Sequence, residues 1–175
     1  MNRTLRIALP VAAAALLIGG AATQSALATS RTTPAAASHA GHASGLSARE
    51  AKNTKAALAL LDITFNQHDP RKAAEKYISA ETYIQHNPHF GNGRDAFIAG
   101  ATAWVQQNPG TSLDFKRTVT QGDLVVVQGL SKLSAGDRGT VEVDTFRFDR
   151  HGKIVEHWDA LQPVAETSAN GNPQV

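Results

Sequence analysis

In the last third of the sequence, ionisable and apolar side chains follow one another at every second position. Asp144 alternates with Phe146 and Phe148 along one predicted strand, and His157 alternates with Asp159 along the next. Side chains repeat every two residues in a strand, so each set shares one face. An aspartate on the same face as two phenylalanines either lies at a pocket wall or needs a buried partner.

These residue types can perform acid–base chemistry. Aldol-type ring closure needs a base that removes a proton next to a carbonyl and an acid that stabilises the enolate. Neither group requires a metal in a dry pocket. We expect Asp144 or Asp159 to be the acid–base group and His157 its partner. The structural alternative is that Asp144 only forms an internal ion pair, with His157 or with Arg147. Glu142 and Arg147 are interpreted as solvated strand charges.

Three helices are predicted before these strands. Ser47 and Glu50 form a capping box, and the first helix should end near His68. Asp69 and Pro70 begin a short second helix, as N-cap and N1 residues. The predicted helices are Ser47 to about His68, Pro70 to about Tyr77, and Arg94 to Gln107.

After Ser112 the hydrophobic period changes from that of helices to that of strands. The strand candidates are Leu113–Thr120, Leu124–Leu133, Thr140–Phe148 and Lys153–Val164. Helices followed by a run of antiparallel strands indicate an α+β fold with the helices on one face of a sheet.

Two strings resemble the SnoaL-like branch of the nuclear transport factor 2-like superfamily: Tyr83–Pro88 and the closing hairpin Val143–Asp159, which includes DTFRF and GKIVEHWD. The resemblance extends over roughly Ala48 to Pro163. It implies a cone in which a curved antiparallel sheet wraps around three N-terminal helices and leaves a deep pocket. It also implies a hydrophobic small-molecule ligand, no cofactor, no metal, and a homodimer formed through the outer face of the sheet.

The hairpin is also similar to that of ketosteroid isomerase, a member of the same superfamily. This likeness implies that Asp144 matches the oxyanion-hole aspartic acid and that His157, Asp159 and Leu161 line the pocket. The general base of the isomerase aligns near Asn87, which cannot accept a proton, and no counterpart of its oxyanion-hole tyrosine is identified. Steroid isomerisation by that mechanism is therefore not expected.

Further residues are predicted to contact the ligand. His86 and Asn87 are expected as polar groups at the pocket mouth, and Gln128 occupies a mid-strand position where relatives carry histidine. The substrate-binding set comprises His86, Asn87, His89, Phe146, Leu161 and Gln128. His86 and His89 have a spacing that could also hold a metal with His157, although ordered loop histidines are more often hydrogen-bonded.

The N-terminus has the pattern of a secretory signal. Arg3 and Arg6 precede an uncharged apolar run, and Ala26-Leu27-Ala28 forms a small-x-small cleavage site. We expect a signal peptide over residues 1–28, cleaved after Ala28, so that the protein is secreted without stable membrane insertion. A retained membrane anchor is the alternative, but the apolar run is short for a span.

The mature chain is predicted to have three parts. Residues 29–46 are rich in Ser, Thr, Ala and Gly and predict a flexible linker, in which His39 and His42 are more simply solvated than metal-bound. The domain should cover residues 47–165, and a polar disordered tail residues 166–175.

Composition excludes several classes of function. The chain of 175 residues has no cysteine, so disulfides, thiolate metal sites and a cysteine nucleophile are excluded. Loss of Arg3 and Arg6 lowers Lys+Arg from 17 to 15, which equals the 15 Asp+Glu. We see no clustered basic stripe, so a nucleic-acid partner is not expected.

Three hypotheses remain at this stage. The first is an exported lyase, cyclase or isomerase that acts on a hydrophobic small molecule through Asp144, His157 and Asp159. The second is a non-catalytic module that holds such a molecule in the same pocket. The third is a dimeric scaffold whose pocket is vestigial.

Overall fold

The computed structural model describes residues 45–175. The predicted signal peptide and all but the last two residues of the predicted linker lie outside the described residues. Within the described part, no helix combines the length and the apolar character that crossing a membrane requires.

The first helix, α1, runs from Ala48 to Leu61 and begins with the expected capping box. The Ser47 side chain accepts a hydrogen bond from the Glu50 backbone N–H, and the Glu50 carboxylate accepts one from the Ser47 backbone N–H. The helix continues as a π-helical turn over Asp62–Asn66. The chain then leaves the helical conformation at His68, which has a φ of 56°, so the predicted end is confirmed.

The second and third helices have the predicted bounds. Helix α2 runs from Pro70 to Tyr77, and the Asp69 side chain caps it by accepting from the Lys72 backbone N–H at 3.1 Å. Helix α3 runs from Arg94 to Gln107. It follows Gly93, whose φ of 92° places it in the region that favours glycine.

Five strands form one sheet in the order β1-β5-β4-β3-β2. The strands are β1 Ile84–Gln85, β2 Ser112–Gln121, β3 Leu124–Lys132, β4 Thr140–Phe148 and β5 Ile154–Pro163. The four long strands pair antiparallel, whereas β1 pairs parallel to β5. The sheet is curved and mixed: the predicted antiparallel pairing is confirmed for the four long strands, and β1 adds a parallel edge strand.

The hydrophobic core lies between the three helices and one face of the sheet, called here the inner face. Leu60 and Ala57 of α1 and Ala101 of α3 are almost completely buried against Val127 of β3 and Phe146 of β4. This packing holds the inner faces of β4 and β5 opposite the helices, where the candidate acid–base residues lie. Beyond Pro163 the described chain forms no helix or strand.

Candidate active site

A cavity of about 340 Å³ lies between the helices and the inner faces of β4 and β5. Its wall is mainly apolar, with Leu60 and Leu61 from α1 and a set of aromatic side chains. The aromatic residues are Phe65, Tyr83, Phe90, Phe97, Trp104 and Phe146. At the mouth, Trp104 and Leu161 are 43% and 52% exposed, so the cavity opens to solvent between α3 and the end of β5.

Asp144 and His157 form a buried pair in the wall of this cavity. They lie on neighbouring strands, and Nε2 of His157 is 3.1 Å from Oδ1 of Asp144. The two residues are only 5% and 7% exposed. The second carboxyl oxygen of Asp144, Oδ2, is buried and has no hydrogen-bond partner among the described residues. The internal pair with His157 is therefore present, and it leaves one oxygen of Asp144 unused.

Gln85 fixes the protonation of the His157 ring. The Asn87 backbone N–H donates to Oε1 of Gln85 at 2.9 Å, so Oε1 is the acceptor end of that amide. Nδ1 of His157 lies 2.9 Å from the same Oε1 and must therefore carry a proton. One further proton is then shared between Nε2 of His157 and Asp144. The pair is neutral as imidazole and carboxylic acid, and zwitterionic as imidazolium and carboxylate.

The environment makes Asp144 more basic than an ordinary aspartate. Burial raises the pKa of Asp144, the bond and charge of His157 lower it in part, and the charge of Asp159 raises it further. A carboxylate with a raised pKa accepts a proton more readily from a weakly acidic carbon.

Tyr83 places a hydroxyl group in the same cavity. Its oxygen accepts a hydrogen bond from Nε2 of Gln85 at 3.1 Å, which leaves the O–H free to donate to a ligand. Burial raises the pKa of Tyr83, and the charges of Asp144 and Asp159 raise it further. The hydroxyl therefore stays protonated. Tyr83 is not among the residues predicted for the site, although Tyr83, Gln85 and Asn87 alternate along the chain and all three line the cavity.

Asp159 lies directly opposite Asp144 in the β4–β5 pairing. Its Oδ2 accepts a hydrogen bond of 2.5 Å from Nδ2 of Asn87. Oδ1 of Asn87 in turn accepts from the His89 backbone N–H at 2.8 Å, which fixes the orientation of the amide. Asn87 therefore orients a carboxylate and does not itself act as a proton acceptor.

Glu142 is a third acidic group in the cavity wall, and its interpretation as a solvated strand charge is wrong. Burial raises the pKa of Glu142 to about 7, and the charges of Asp144 and Asp159 add to the shift. The alternation that placed Asp144 and Phe146 on one face also places Glu142 there. That signal was present in the sequence.

The ionisation of Glu142 gives a prediction for stability. Its pKa is raised from 4.5 to about 7, so the folded state binds more protons than the unfolded state across this interval and stability falls as pH rises through it. Glu142→Gln removes this loss. We expect the variant to be more stable than the wild type by about 2–3 kcal/mol at pH near 8, and by much less near pH 4. Urea unfolding at both pH values measures the difference.

The matched control is Glu75→Gln, because Glu75 is an exposed residue on the surface of α2. This variant should show the same pH dependence of unfolding as the wild type. A Glu142→Gln variant with unchanged pH dependence would contradict the burial of an ionisable group at this position.

Two predicted ligand contacts lie outside the cavity. The His86 ring packs on the Trp158 ring at 4.8 Å between centroids and bonds to Oε1 of Glu156 at 3.0 Å. Because Gln85 points into the cavity, the strand period turns His86 to the outer face. Gln128 likewise faces outward between the buried Val127 and Gly129, and its Oε1 accepts from Arg117 at 2.6 Å.

Arg147 also lies on the outer face. It forms ion pairs with Asp123 at 3.1 Å and Glu156 at 2.9 Å, so it is part of a charge network on the outside of the sheet. The alternative in which Asp144 pairs with Arg147 is therefore wrong.

Four other predicted contacts do line the cavity: Asn87, His89, Phe146 and Leu161. Since His86 faces outward, it does not join His89 and His157 in a ligand set. In the described residues, the group of side chains that could hold a metal ion is Asp144, His157 and Asp159, whose ligand atoms lie within 4.8 Å of one another. A metal there would have to replace the proton between His157 and Asp144.

Replacement of Gln85 tests the proton assignment. Gln85→Leu removes the acceptor for the buried Nδ1–H of His157 and should lower the free energy of unfolding by about 1–3 kcal/mol. It should also remove the preference for a protonated Nδ1, which the ¹⁵N chemical shifts of the His157 ring report.

Gln121→Leu is the control, because Gln121 is exposed at the end of β2. It should leave both the stability and the His157 shifts close to those of the wild type. An unchanged His157 spectrum in Gln85→Leu would contradict the role assigned to Gln85.

Comparison with known proteins agrees with this architecture. A family model described as the SnoaL-like domain matches residues 57–157, which is more than half of the chain. No curated protein matches the chain.

Solved structures with the same fold include a candidate isomerase of the SnoaL-like family from Agrobacterium tumefaciens. It is 17% identical, with a TM-score of 0.55 over 64% of this chain and 98% of its own. A candidate SnoaL-like polyketide cyclase from Jannaschia is 20% identical, with a TM-score of 0.58 over 67% and 90%. A nuclear transport factor 2-like protein of unknown function from Mesorhizobium loti is 22% identical, with a TM-score of 0.55 over 67% and 97%.

At these identities the solved structures establish the fold alone. The family model, however, spans the chain from within α1 to His157 and so includes both residues of the buried Asp144–His157 pair. The chain therefore belongs to the SnoaL-like domain family.

Proposed function

We propose that this protein removes and returns a proton next to a carbonyl group of a hydrophobic small molecule, without a cofactor. One observation carries the proposal. Asp144 is buried in an apolar cavity wall, its Oδ1 contacts His157, and its Oδ2 has no partner among the described residues. Leaving a buried carboxyl oxygen unpaired is costly, so a ligand that uses it offsets that cost.

The first step is proton removal. With the shared proton on His157, Asp144 is a carboxylate, and Oδ2 takes the proton from the carbon next to the ligand carbonyl. The electron pair of the broken C–H bond moves onto the carbonyl oxygen and forms an enolate. The Tyr83 O–H donates to that oxygen, and such a donor in a water-poor site stabilises developing negative charge strongly.

The second step returns the proton from Oδ2 of Asp144. Delivery to a different carbon of the enolate gives isomerisation. If the proton goes to a hydroxyl group that leaves the enolate, the reaction is a dehydration. If the enolate first attacks a second carbonyl and the proton goes to the resulting alkoxide, the reaction is an aldol cyclisation. In each case Asp144 begins and ends as a carboxylate, so the reaction needs no external proton donor.

Asp159 supports Asp144 through its charge. Its carboxylate is directly opposite Asp144 and is oriented by Asn87. The charge of Asp159 raises the pKa of Asp144, which makes Asp144 a better proton acceptor.

Proton exchange tests this proposal before the natural substrate is identified. 2-Tetralone is a neutral, hydrophobic ketone with acidic protons next to its carbonyl, and their replacement by deuterium in D₂O is followed by ¹H NMR. We expect the protein to accelerate the exchange in proportion to its concentration, in the presence of EDTA as well as without it. An exchange rate equal to that of the buffer would contradict the proposal.

A non-catalytic binding module is the second candidate. It is favoured by one observation: Asn87, at the position aligned with a general base in the isomerase, cannot accept a proton and instead bonds to Asp159. Binding of 2-tetralone in the cavity, measured by calorimetry, without any acceleration of exchange would support this candidate over catalysis.

Export is a separate proposal, supported by the apolar run and the small-x-small site of the first 28 residues. N-terminal sequencing of the protein recovered from the culture medium of an expressing bacterium should give a chain that begins at Thr29. Recovery of the uncleaved chain in the membrane fraction would favour the anchor instead.

A further inference from the structure

The cavity wall carries three carboxyl groups, and its basic side chains are the histidines His89 and His157. Glu142, Asp144 and Asp159 all line the cavity, whereas no lysine or arginine is among its lining residues, all of which lie in the described part of the chain. The proton shared by Asp144 and His157 makes that pair neutral as a whole. Asp159 and the ionised form of Glu142 therefore give the cavity a net negative charge.

These carboxyl groups have free capacity to accept hydrogen bonds. The Asp144 side chain is nine-tenths buried, and its Oδ2 has no partner in the described residues. Oδ2 of Asp159 accepts a hydrogen bond from Asn87, whereas Oδ1 of Asp159 makes no hydrogen bond to any described residue. The Tyr83 hydroxyl is one donor that the wall offers to a ligand. The unpartnered carboxyl oxygens therefore favour a ligand that carries hydrogen-bond donors.

The aromatic wall favours the same kind of ligand. Phe65, Phe90 and Phe97 surround the space with ring faces and edges, and Trp104 stands at the mouth. Such rings bury an apolar body, and their faces attract a cation. An anionic group would meet both the negative charge of the carboxylates and the electron-rich ring faces.

We propose that the preferred ligand of this cavity is a hydrophobic molecule that carries one protonated amine, and that its ammonium group binds between Asp159 and Glu142. The inference rests on the proposed function, because it assigns the charge of the molecule on which Asp144 acts. Glu142 and Asp159 are diagonal neighbours across the β4–β5 pair, about 7–8 Å apart at the backbone. Their side chains can therefore both reach one ammonium group, and Oδ2 of Asp144 remains free to act on carbon.

Three probes with one hydrophobic body and different charge test this inference. They are 2-(1-naphthyl)ethylamine, 2-(1-naphthyl)ethanol and 1-naphthylacetate, titrated into the protein by calorimetry at pH 8 with EDTA. Hydrogen bonds to a charged group contribute about 1.5–3 kcal/mol, so the amine should bind about ten- to a hundredfold more tightly than the alcohol. The anionic probe, 1-naphthylacetate, should bind more weakly than the alcohol.

Variants connect the preference to the proposed site. In Asp159→Asn the amine should lose at least about tenfold in affinity, whereas the alcohol should bind as it does to the wild type. Asp123→Asn is the matched control, because Asp123 pairs with Arg147 on the outer face, and it should change neither affinity.

The outcomes separate this inference from the proposed function. If the alcohol bound as tightly as the amine, or if 1-naphthylacetate bound most tightly, the charge preference would be overturned. The acid–base proposal would then remain in place. Preference for the amine without acceleration of tetralone exchange would support the charge inference and contradict the catalytic role. Absence of binding by all three probes would contradict both.

Discussion

Replacing Asp144 by Asn should lower the protein-catalysed exchange of 2-tetralone by about 10²–10⁴-fold, the usual contribution of a positioned general base. The asparagine amide has the size of the aspartate carboxylate but cannot accept a proton. Its N–H can donate to Nε2 of His157, so the pair that closes the cavity wall remains hydrogen-bonded. We therefore expect loss of exchange with the fold retained, and circular dichroism together with urea unfolding checks the second part.

Asp123→Asn is the matched control for this experiment as well. It makes the same chemical change on the outer face, where Asp123 pairs with Arg147 at 3.1 Å, and it should leave the exchange rate unchanged. Full activity in Asp144→Asn would remove Asp144 from the mechanism. If the exchange rate fell equally in both variants, the loss would reflect a general structural effect. That result would also contradict the assignment of Asp144 as the general base.

The second large effect concerns stability. Phe146 is the largest fully buried side chain in the described chain and is 1% exposed. Its ring stacks on the ring of His157 with 4.8 Å between centroids. Phe146→Ala should lower the free energy of unfolding by about 3–5 kcal/mol, because it removes apolar contacts and leaves a larger void beside the cavity. Urea unfolding measures this loss.

Val119→Thr provides the comparison for that measurement. Val119 is 65% exposed on β2, and threonine keeps its branched shape, so the change should stay within about 0.5 kcal/mol. A loss below about 1 kcal/mol in Phe146→Ala would mean that the cavity wall relaxes around the missing ring, and it would contradict the packing role assigned to Phe146.

Most element boundaries could be predicted because they depend on local signals. The capping box at Ser47, the Asp69-Pro70 start of α2 and the glycine turn before Arg94 each act within a few residues. The period of two likewise defines β4, with bounds that agree with the structure. Local sequence therefore accounts for the helices and the long strands.

The parallel pairing of β1 with β5 could not be predicted in the same way. A strand of two residues, Ile84–Gln85, shows no period of its own, and its partner strand lies far along the chain, beginning at Ile154. Only the tertiary packing of the segment against β5 decides its direction. The prediction therefore included the antiparallel strands and did not include the parallel edge pairing of β1 with β5.

The candidate site was predicted in part. Alternation placed Asp144, His157 and Asp159 together, and the structure brings these side chains within reach of one another. Applied to β4 as a whole, the same alternation would have included Glu142, and applied to β3 it would have turned Gln128 outward. Gln128 was assigned by resemblance and Glu142 was interpreted as a solvated charge, and in neither case was the strand period applied.

Gln85 and Tyr83 required the structure. Their roles come from a chain of hydrogen bonds that joins a loop to β5, from the Asn87 backbone through Gln85 to His157 and Tyr83. The alternation of Tyr83, Gln85 and Asn87 indicates that they share one face, but the contact of Gln85 with His157 joins segments distant in sequence and depends on the completed fold.

The most direct test of the central claim is a crystal structure of the protein with 2-naphthol, a planar analogue of the enol of 2-tetralone. We expect the ligand to occupy the cavity, with its oxygen in hydrogen-bond contact with the Tyr83 hydroxyl and the adjacent ring carbon, C1, facing Oδ2 of Asp144. Naphthol bound outside the cavity, or bound inside with its oxygen and C1 directed away from both groups, would contradict the proposed acid–base role of Asp144.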